Sequence, residues 1–170
     1  FLSNYGSAPL LTPDTSFSAC NGSVDGVCNT ANIQNFYNAY VTHYDILGTP
    51  PFSPTAGPTN QNYYAAGLCH STIAGYSDWY LPAVCEMGAD NALPESGCGT
   101  LASPVIQNIQ NSLVGSGIIT LTGTYYSSTQ LSTNSNYAWL HTFDNSGGSA
   151  LLVARKSTRG GIRCVRSLGF

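Results

Sequence analysis

The residues of this chain with the most obvious chemical potential are its cations, which are few and close together. All five lysine and arginine residues lie in one short segment: Arg155, Lys156, Arg159, Arg163 and Arg166. The eight acidic residues end at Asp144, so the rest of the sequence is purely basic although the chain has a formal net charge of −3. Arg meets a sulfate or phosphate with two parallel hydrogen bonds, and Lys adds a compact charge. The pattern predicts a local anion-binding surface.

Lys156 and Arg159 are the strongest candidates for ligand contact. They lie beside or within the turn STRGG (157–161), where side chains are free to reach a ligand. Arg155 follows them, on the opposite face of its strand from Lys156. A solvated basic turn with no partner is the competing interpretation.

Arg163 and Arg166 are candidates of a second rank. If Cys164 faces inward, strand alternation directs Arg163 outward and leaves Arg166 on the covered side. Arg166 is therefore equally open to a structural role, for example pairing with Asp78. We expect all five cations in one closing hairpin.

Six cysteines indicate a disulfide framework and an oxidising compartment. Their number is even, no C-x-x-C pair is present, and the three histidines are scattered, which argues against a zinc site. Six cysteines allow 15 connectivities, of which we favour two local loops and one long-range bridge. The favoured pairs are Cys20–Cys28, Cys85–Cys98 and Cys69–Cys164.

Catalytic and metal sites are weakly indicated. Asp78 and Glu86 are a poor acid/base pair across a turn, and paired cysteines leave no thiol for oxidase chemistry. The pairs Asp90-Asn91 and Asp144-Asn145 do not form the dense acidic loop that calcium requires. We therefore expect no enzyme activity, no metal and no cofactor. Other side chains considered and assigned to structural roles are His43, His70, His141, Trp79 and Trp139.

Composition suits one exported domain. Only 8% of the residues are charged, against roughly a quarter in ordinary soluble domains, and the surface is rich in Ser, Thr, Asn and Tyr. The acidic balance gives no reason to expect nucleic acid as a partner. No apolar run approaches the length that a membrane helix needs, so no membrane insertion is expected. We predict a tether at 1–15 and a single domain at 16–170, which is extracellular, either secreted or at a bacterial cell surface.

The helices are predicted in the first two thirds of the chain. TANIQNFYNAYVTHYDIL (30–47) has apolar and tyrosine residues at helical spacing, with Thr30 as N-cap and Gly48 as stop. A second helix is predicted at 60–73. A third is predicted over SPVIQNIQNSLVGSG (103–117), with Ser103 as N-cap.

The last third alternates with period two and predicts short strands. The segments are IITLTG, TYYSST, YAWLHTF, ALLVAR and GIRCVRSL. They are separated by turns rich in Gly, Ser and Asn. Helices followed by an antiparallel sheet indicate the α+β class.

Several motifs together resemble one family, DUF1566. They are Cys69, GYSDWYLP (75–82), YYSST (125–129), YAWLHTFDNSG (137–147) and IRCVR (162–166). The motifs stand in order and span roughly residues 62 to 167. One departure is Tyr80, which stands where many members have Arg.

The resemblance implies a C-type-lectin-like fold, related also to formylglycine-generating enzymes. The family includes a collagen-like bacterial adhesin, whose properties imply a homotrimer that binds sulfated glycosaminoglycans such as heparin or chondroitin sulfate. We therefore expect an adhesin domain for attachment to host cells or matrix. The alternative is a structural trimerisation head that caps a collagen-like stalk and binds no glycan.

Overall fold

The computed structural model describes residues 20–47, 64–134, 136–144 and 149–166, with side chains of the first helix described as far as Phe36. The predicted tether at 1–15, the stop at Gly48 and the side chains of His43 and Asn145 lie outside these residues. Helices and antiparallel strands are combined in the described part, which confirms the α+β class.

Helix α1 spans Gly26–Leu47 and begins earlier than predicted. Asp25 Oδ1 accepts a hydrogen bond from the backbone N–H of Cys28 at 2.9 Å, which is the geometry of an N-cap. The prediction of Thr30 as N-cap is wrong because Asp25 takes that role. The Thr30 hydroxyl instead accepts from Leu81 N at 3.0 Å, which joins the helix to the chain after β1.

Helix α2 (Ala65–His70) ends three residues before the end predicted for the helix at 60–73, and residues 60–63 of that prediction lie outside the described part of the chain. Strand β1 (Trp79–Tyr80) follows α2. Strand β5 (Val165–Arg166) pairs antiparallel with β1 in a two-stranded sheet. Cys69 of α2 is bonded to Cys164 beside β5. A buried cluster of Ile33, Ala66, Cys69 and Leu81 lies between α1, α2 and β1.

The third predicted helix is largely absent. Helix α3 is Val84–Met87, a 3-10 turn covers Pro94–Ser96, and a π-helical turn covers Gln110–Val114. Ser103 is not an N-cap, because its backbone closes a turn with Thr100 through reciprocal N–H···O bonds of 3.1 Å.

The main sheet has the order β2-β3-β4, all antiparallel. Its strands are β2 (Gly123–Gln130), β3 (Tyr137–Phe143) and β4 (Ser149–Arg155). The predicted strand IITLTG does not form, because residues 118–122 are bends and irregular chain. A bulge interrupts β2 between Tyr126 and Gln130, and the bulged residues Ser127, Ser128 and Thr129 are all buried.

Two of these bulged residues, Ser128 and Thr129, connect the sheet to the helical part of the fold. Thr129 Oγ1 donates to Gly22 O at 2.6 Å and accepts from Val84 N at 2.9 Å. Ser128 N donates to Pro82 O at 2.8 Å. Buried polar groups are tolerated when they are hydrogen-bonded, so the bulge serves as the junction between α1, α3 and the sheet.

Three disulfides join Cys20 to Cys28, Cys69 to Cys164 and Cys85 to Cys98, which confirms the favoured pairing. All six cysteines are therefore oxidised, as is compatible with an extracellular protein. No described helix is long and apolar enough to cross a membrane.

Candidate anion-binding surface

The basic segment, residues 155–166, is not a closing hairpin as predicted. It leaves the three-stranded sheet at the end of β4 and enters the two-stranded sheet at β5. Between the two sheets it runs beside β2, where Tyr126 N donates to Gly161 O at 2.9 Å and Gly161 N to Thr124 O at 3.2 Å. Its cations are therefore displayed along a connection between sheets.

Tyr126 holds the turn of this segment from below. Its buried hydroxyl lies 2.7 Å from Arg155 O and 3.0 Å from Thr158 O. A Cβ on Gly160 would lie 2.6 Å from the Tyr126 ring, and one on Gly161 would lie 2.8 Å from Thr124 O. The two glycines therefore permit a close approach to β2 that larger residues would prevent.

Lys156 is half buried, and the prediction that its side chain is free is wrong. Its ammonium donates to Gln130 Oε1 at 2.6 Å, and its backbone N–H donates to Asn136 O at 2.9 Å. Burial lowers the pKa of Lys156 to about 8, because desolvation disfavours the charged form. Lys156 thus lies in the wall of the surface.

Arg155, Arg159 and Arg163 are exposed. Arg155 lies above the Tyr137 ring at 5.9 Å from its centroid, and its Nε donates to the Tyr137 hydroxyl at 3.3 Å. None of these three guanidinium groups makes a salt bridge with any described residue. The outward direction predicted for Arg163 is confirmed.

Arg166 has the structural role that the sequence left open. Its Nη2 and Nε lie 2.9 and 3.1 Å from Asp78 Oδ2, and its guanidinium lies 3.7 Å from the centroid of the Tyr76 ring. The side chain is 24% exposed. Its charge is neutralised by the carboxylate, so Arg166 stabilises the β1–β5 sheet region and does not belong to the open anion-binding set.

A pocket of about 600 Å³ opens beside the same segment. Sequence reasoning missed it, because its walls come from α1, α2, β2, β3 and the turn, which no local pattern brings together. Lys156 and Arg159 are among its lining residues. The motifs YYSST and STRGG could be recognised in the sequence, but the contact between them could not be predicted from it.

The carboxylates considered for catalysis do not form a pair. Asp78 binds Arg166, whereas Glu86 Oε2 accepts from Ala83 N at 2.7 Å and caps α3. The Tyr80 hydroxyl donates to Glu86 Oε1 at 3.3 Å. Burial raises the pKa of Glu86, and burial with this carboxylate beside it raises the pKa of Tyr80 to about 12.

The remaining candidates are engaged in the fold. Asp90 accepts from Ala92 N and Leu151 N at 2.8 Å, and Asn91 accepts from Leu101 N at 3.1 Å. His141 and Trp139 are buried, and burial lowers the pKa of His141 to about 4. Trp79 is half buried and donates to Ile73 O. His70 and Asp144 are exposed. Among the described residues, no group of three or more His, Cys, Asp or Glu could hold a metal ion.

No family model, curated protein or solved structure matches this chain. The geometry of the site offers three exposed guanidinium groups, one partly buried ammonium and an adjoining pocket.

Proposed function

We propose that this protein is a domain of a bacterial surface adhesin that binds sulfated glycosaminoglycans for attachment to host cells or matrix. The motif resemblance to DUF1566 supports a C-type-lectin-like domain, a homotrimer and display outside the cell. The three disulfides are consistent with that location.

The observation that carries the proposal is the exposure of Arg155, Arg159 and Arg163 without a described carboxylate partner. Sulfated polysaccharides present repeated fixed anions, and guanidinium groups bind each with paired hydrogen bonds. Lys156, which is half buried and follows Arg155 in the chain, adds its charge. Arg166 is left out of the binding set because Asp78 neutralises it.

Binding by one protomer is expected to be weak and sensitive to salt. Each exposed ion pair contributes about 0–1 kcal/mol and is screened by electrolyte. Three protomers on one polymer would raise the apparent affinity by roughly 10²–10⁴-fold through effective concentration. Attachment would therefore depend on assembly.

The test is heparin binding by Arg159→Gln/Arg163→Gln, measured by calorimetry at low and high salt. We expect the double variant to lose most binding while it keeps its fold. Gln107→Glu/Thr120→Glu is the matched control, since it makes the same change in net charge at exposed positions outside residues 155–166 and the pocket lining. Equal loss in both variants, or wild-type binding that ignores salt, would contradict a local site.

The second candidate function is a structural head that assembles a stalk without binding glycan. Leu152 and Val153 favour it, since these apolar residues of the terminal strand β4 are 46% and 38% exposed. Sedimentation equilibrium of wild type and Leu152→Ser/Val153→Ser tests the interface. A trimer that dissociates in the variant, combined with absent heparin binding in the wild type, would favour this function over the first.

A further inference from the structure

The pocket beside the basic segment has two chemically different parts. Four aliphatic side chains form one part, namely Ile33 of α1, Leu68 of α2, Leu81 after β1 and Ile162 before Cys164. The other part is the turn 156–160, which contributes Lys156 and Arg159. Of the fifteen described residues that line the pocket, two carry charge and both are cationic.

The volume and the lining of the pocket are compatible with a small-molecule ligand. Pockets for small ligands span about 300–1,000 Å³, are mostly apolar, and carry a few polar groups that fix orientation. At about 600 Å³ this pocket lies within that range. A polysaccharide, which is hydroxylated on every residue, would gain little from the aliphatic wall.

We propose that this pocket binds a small amphipathic anion, an alkyl or aryl group that carries one sulfate or carboxylate. The apolar group lies against Ile33, Leu68 and Ile162, and the anionic head lies at Arg159 with Lys156 beside it. This inference does not depend on glycosaminoglycan binding, because the apolar wall has no part in the recognition of a polyanion.

The turn 156–160 is held in place in the absence of any ligand. Tyr126 fixes the turn through Arg155 O and Thr158 O, and Gly160 lies directly on the Tyr126 ring. The aliphatic part of the pocket is held near Ile162 by the Cys69–Cys164 disulfide. A preformed site avoids the ordering cost that a mobile one must meet on binding.

The first test is a chain-length series of butyl, hexyl and octyl sulfate, titrated into the folded protein by calorimetry below their micelle concentrations. Each methylene buried in the pocket is expected to tighten binding about fourfold. Octanol and inorganic sulfate are the matched single-feature probes, and each is expected to bind much more weakly than octyl sulfate. An affinity that does not change with chain length would overturn the proposal.

The second test separates the head from the tail. Arg159→Gln should weaken octyl sulfate about tenfold and leave octanol unchanged. Gln107→Glu makes the same change in net charge at an exposed position outside the pocket lining and should bind octyl sulfate like the wild type. Equal weakening by both variants would mean a diffuse charge effect and would overturn the site.

The third test fills the pocket without changing charge. Ala65 lies in the lining of the pocket and is half buried, so Ala65→Leu should reduce octyl sulfate binding and leave heparin binding unchanged. If the wild type binds octyl sulfate but does not bind heparin, only the adhesive proposal is refuted. If the variant does not fold, the chain-length series on the wild type still decides.

Discussion

Tyr126 sets the position of the basic segment more directly than any of the cations do. Its hydroxyl lies within hydrogen-bond distance of two carbonyls of the turn, those of Arg155 and Thr158. We expect Tyr126→Phe to lower the free energy of unfolding by about 1–3 kcal/mol, because it leaves these partly buried acceptors unsatisfied. Urea unfolding measures this loss. Tyr125→Phe is the control, since its hydroxyl bonds to Thr122 O at an exposed site, and a comparable loss there would contradict the assignment.

Lys156 makes the binding surface sensitive to pH in a range where arginine is not. Burial lowers its pKa to about 8, so the ammonium loses its charge as the pH rises from 7 to 9, whereas an unperturbed lysine would keep it. Heparin affinity of the wild type should fall over this range. Lys156→Arg should remove that dependence while retaining the charge. Identical pH profiles, measured by calorimetry in matched buffers, would contradict this role.

At the scale of single residues, the sequence predicted charge better than accessibility. The location of all five cations within residues 155–166 can be read directly from the sequence. Lys156 bonds to Gln130 and Arg166 binds Asp78. Both partners are distant in the sequence, so these contacts could not be predicted from it. Alternation along a strand indicates a face, but only tertiary contacts determine which charges remain open.

Strand β4 is an edge strand of the main sheet, and the Asp90 carboxylate covers part of its unpaired edge. Asp90 Oδ2 accepts from Leu151 N at 2.8 Å on the side away from β3. Asp90→Ala should destabilise the fold by about 1–3 kcal/mol and increase self-association, because charged groups at an open edge oppose strand addition. Urea unfolding and light scattering measure the two effects. Glu95→Ala removes an exposed charge nearby and should stay within about 0.5 kcal/mol of the wild type.

Elements with strong periodicity were predicted well, and those formed by tertiary contacts were not. Strand β3 matches YAWLHTF residue for residue, and both of its faces are buried, with Trp139 and Phe143 on one and Ala138 and Leu140 on the other. The helix predicted at 103–117 shrinks to a π-helical turn. There the Cys85–Cys98 bridge and the pairing of Gly99 with Pro104 hold the preceding residues in non-helical conformations. Local capping signals could not report these constraints.

Considered as a whole, the molecule joins two small sheets through the segment that carries its positive charge. Strand β4 of the three-stranded sheet ends at Arg155, and strand β5 of the two-stranded sheet begins at Val165. Between them the chain is held by Tyr126 on one side and by Cys164 on the other. The arrangement keeps Arg159 and Arg163 outside both sheets, where no described acidic residue neutralises them.

The Cys69–Cys164 disulfide should therefore affect both the stability and the binding surface. Its sequence separation is 95 residues, against 8 for Cys20–Cys28. Loop entropy in the unfolded chain makes the first worth about 4–5 kcal/mol and the second about 2–3 kcal/mol. We expect Cys69→Ala/Cys164→Ala to lose more stability in urea than Cys20→Ala/Cys28→Ala. The first variant should also bind octyl sulfate more weakly, because this bridge fastens the pocket wall at Ile162, whereas the second should not. A reversed order of stability would show that the bridge does not organise the molecule.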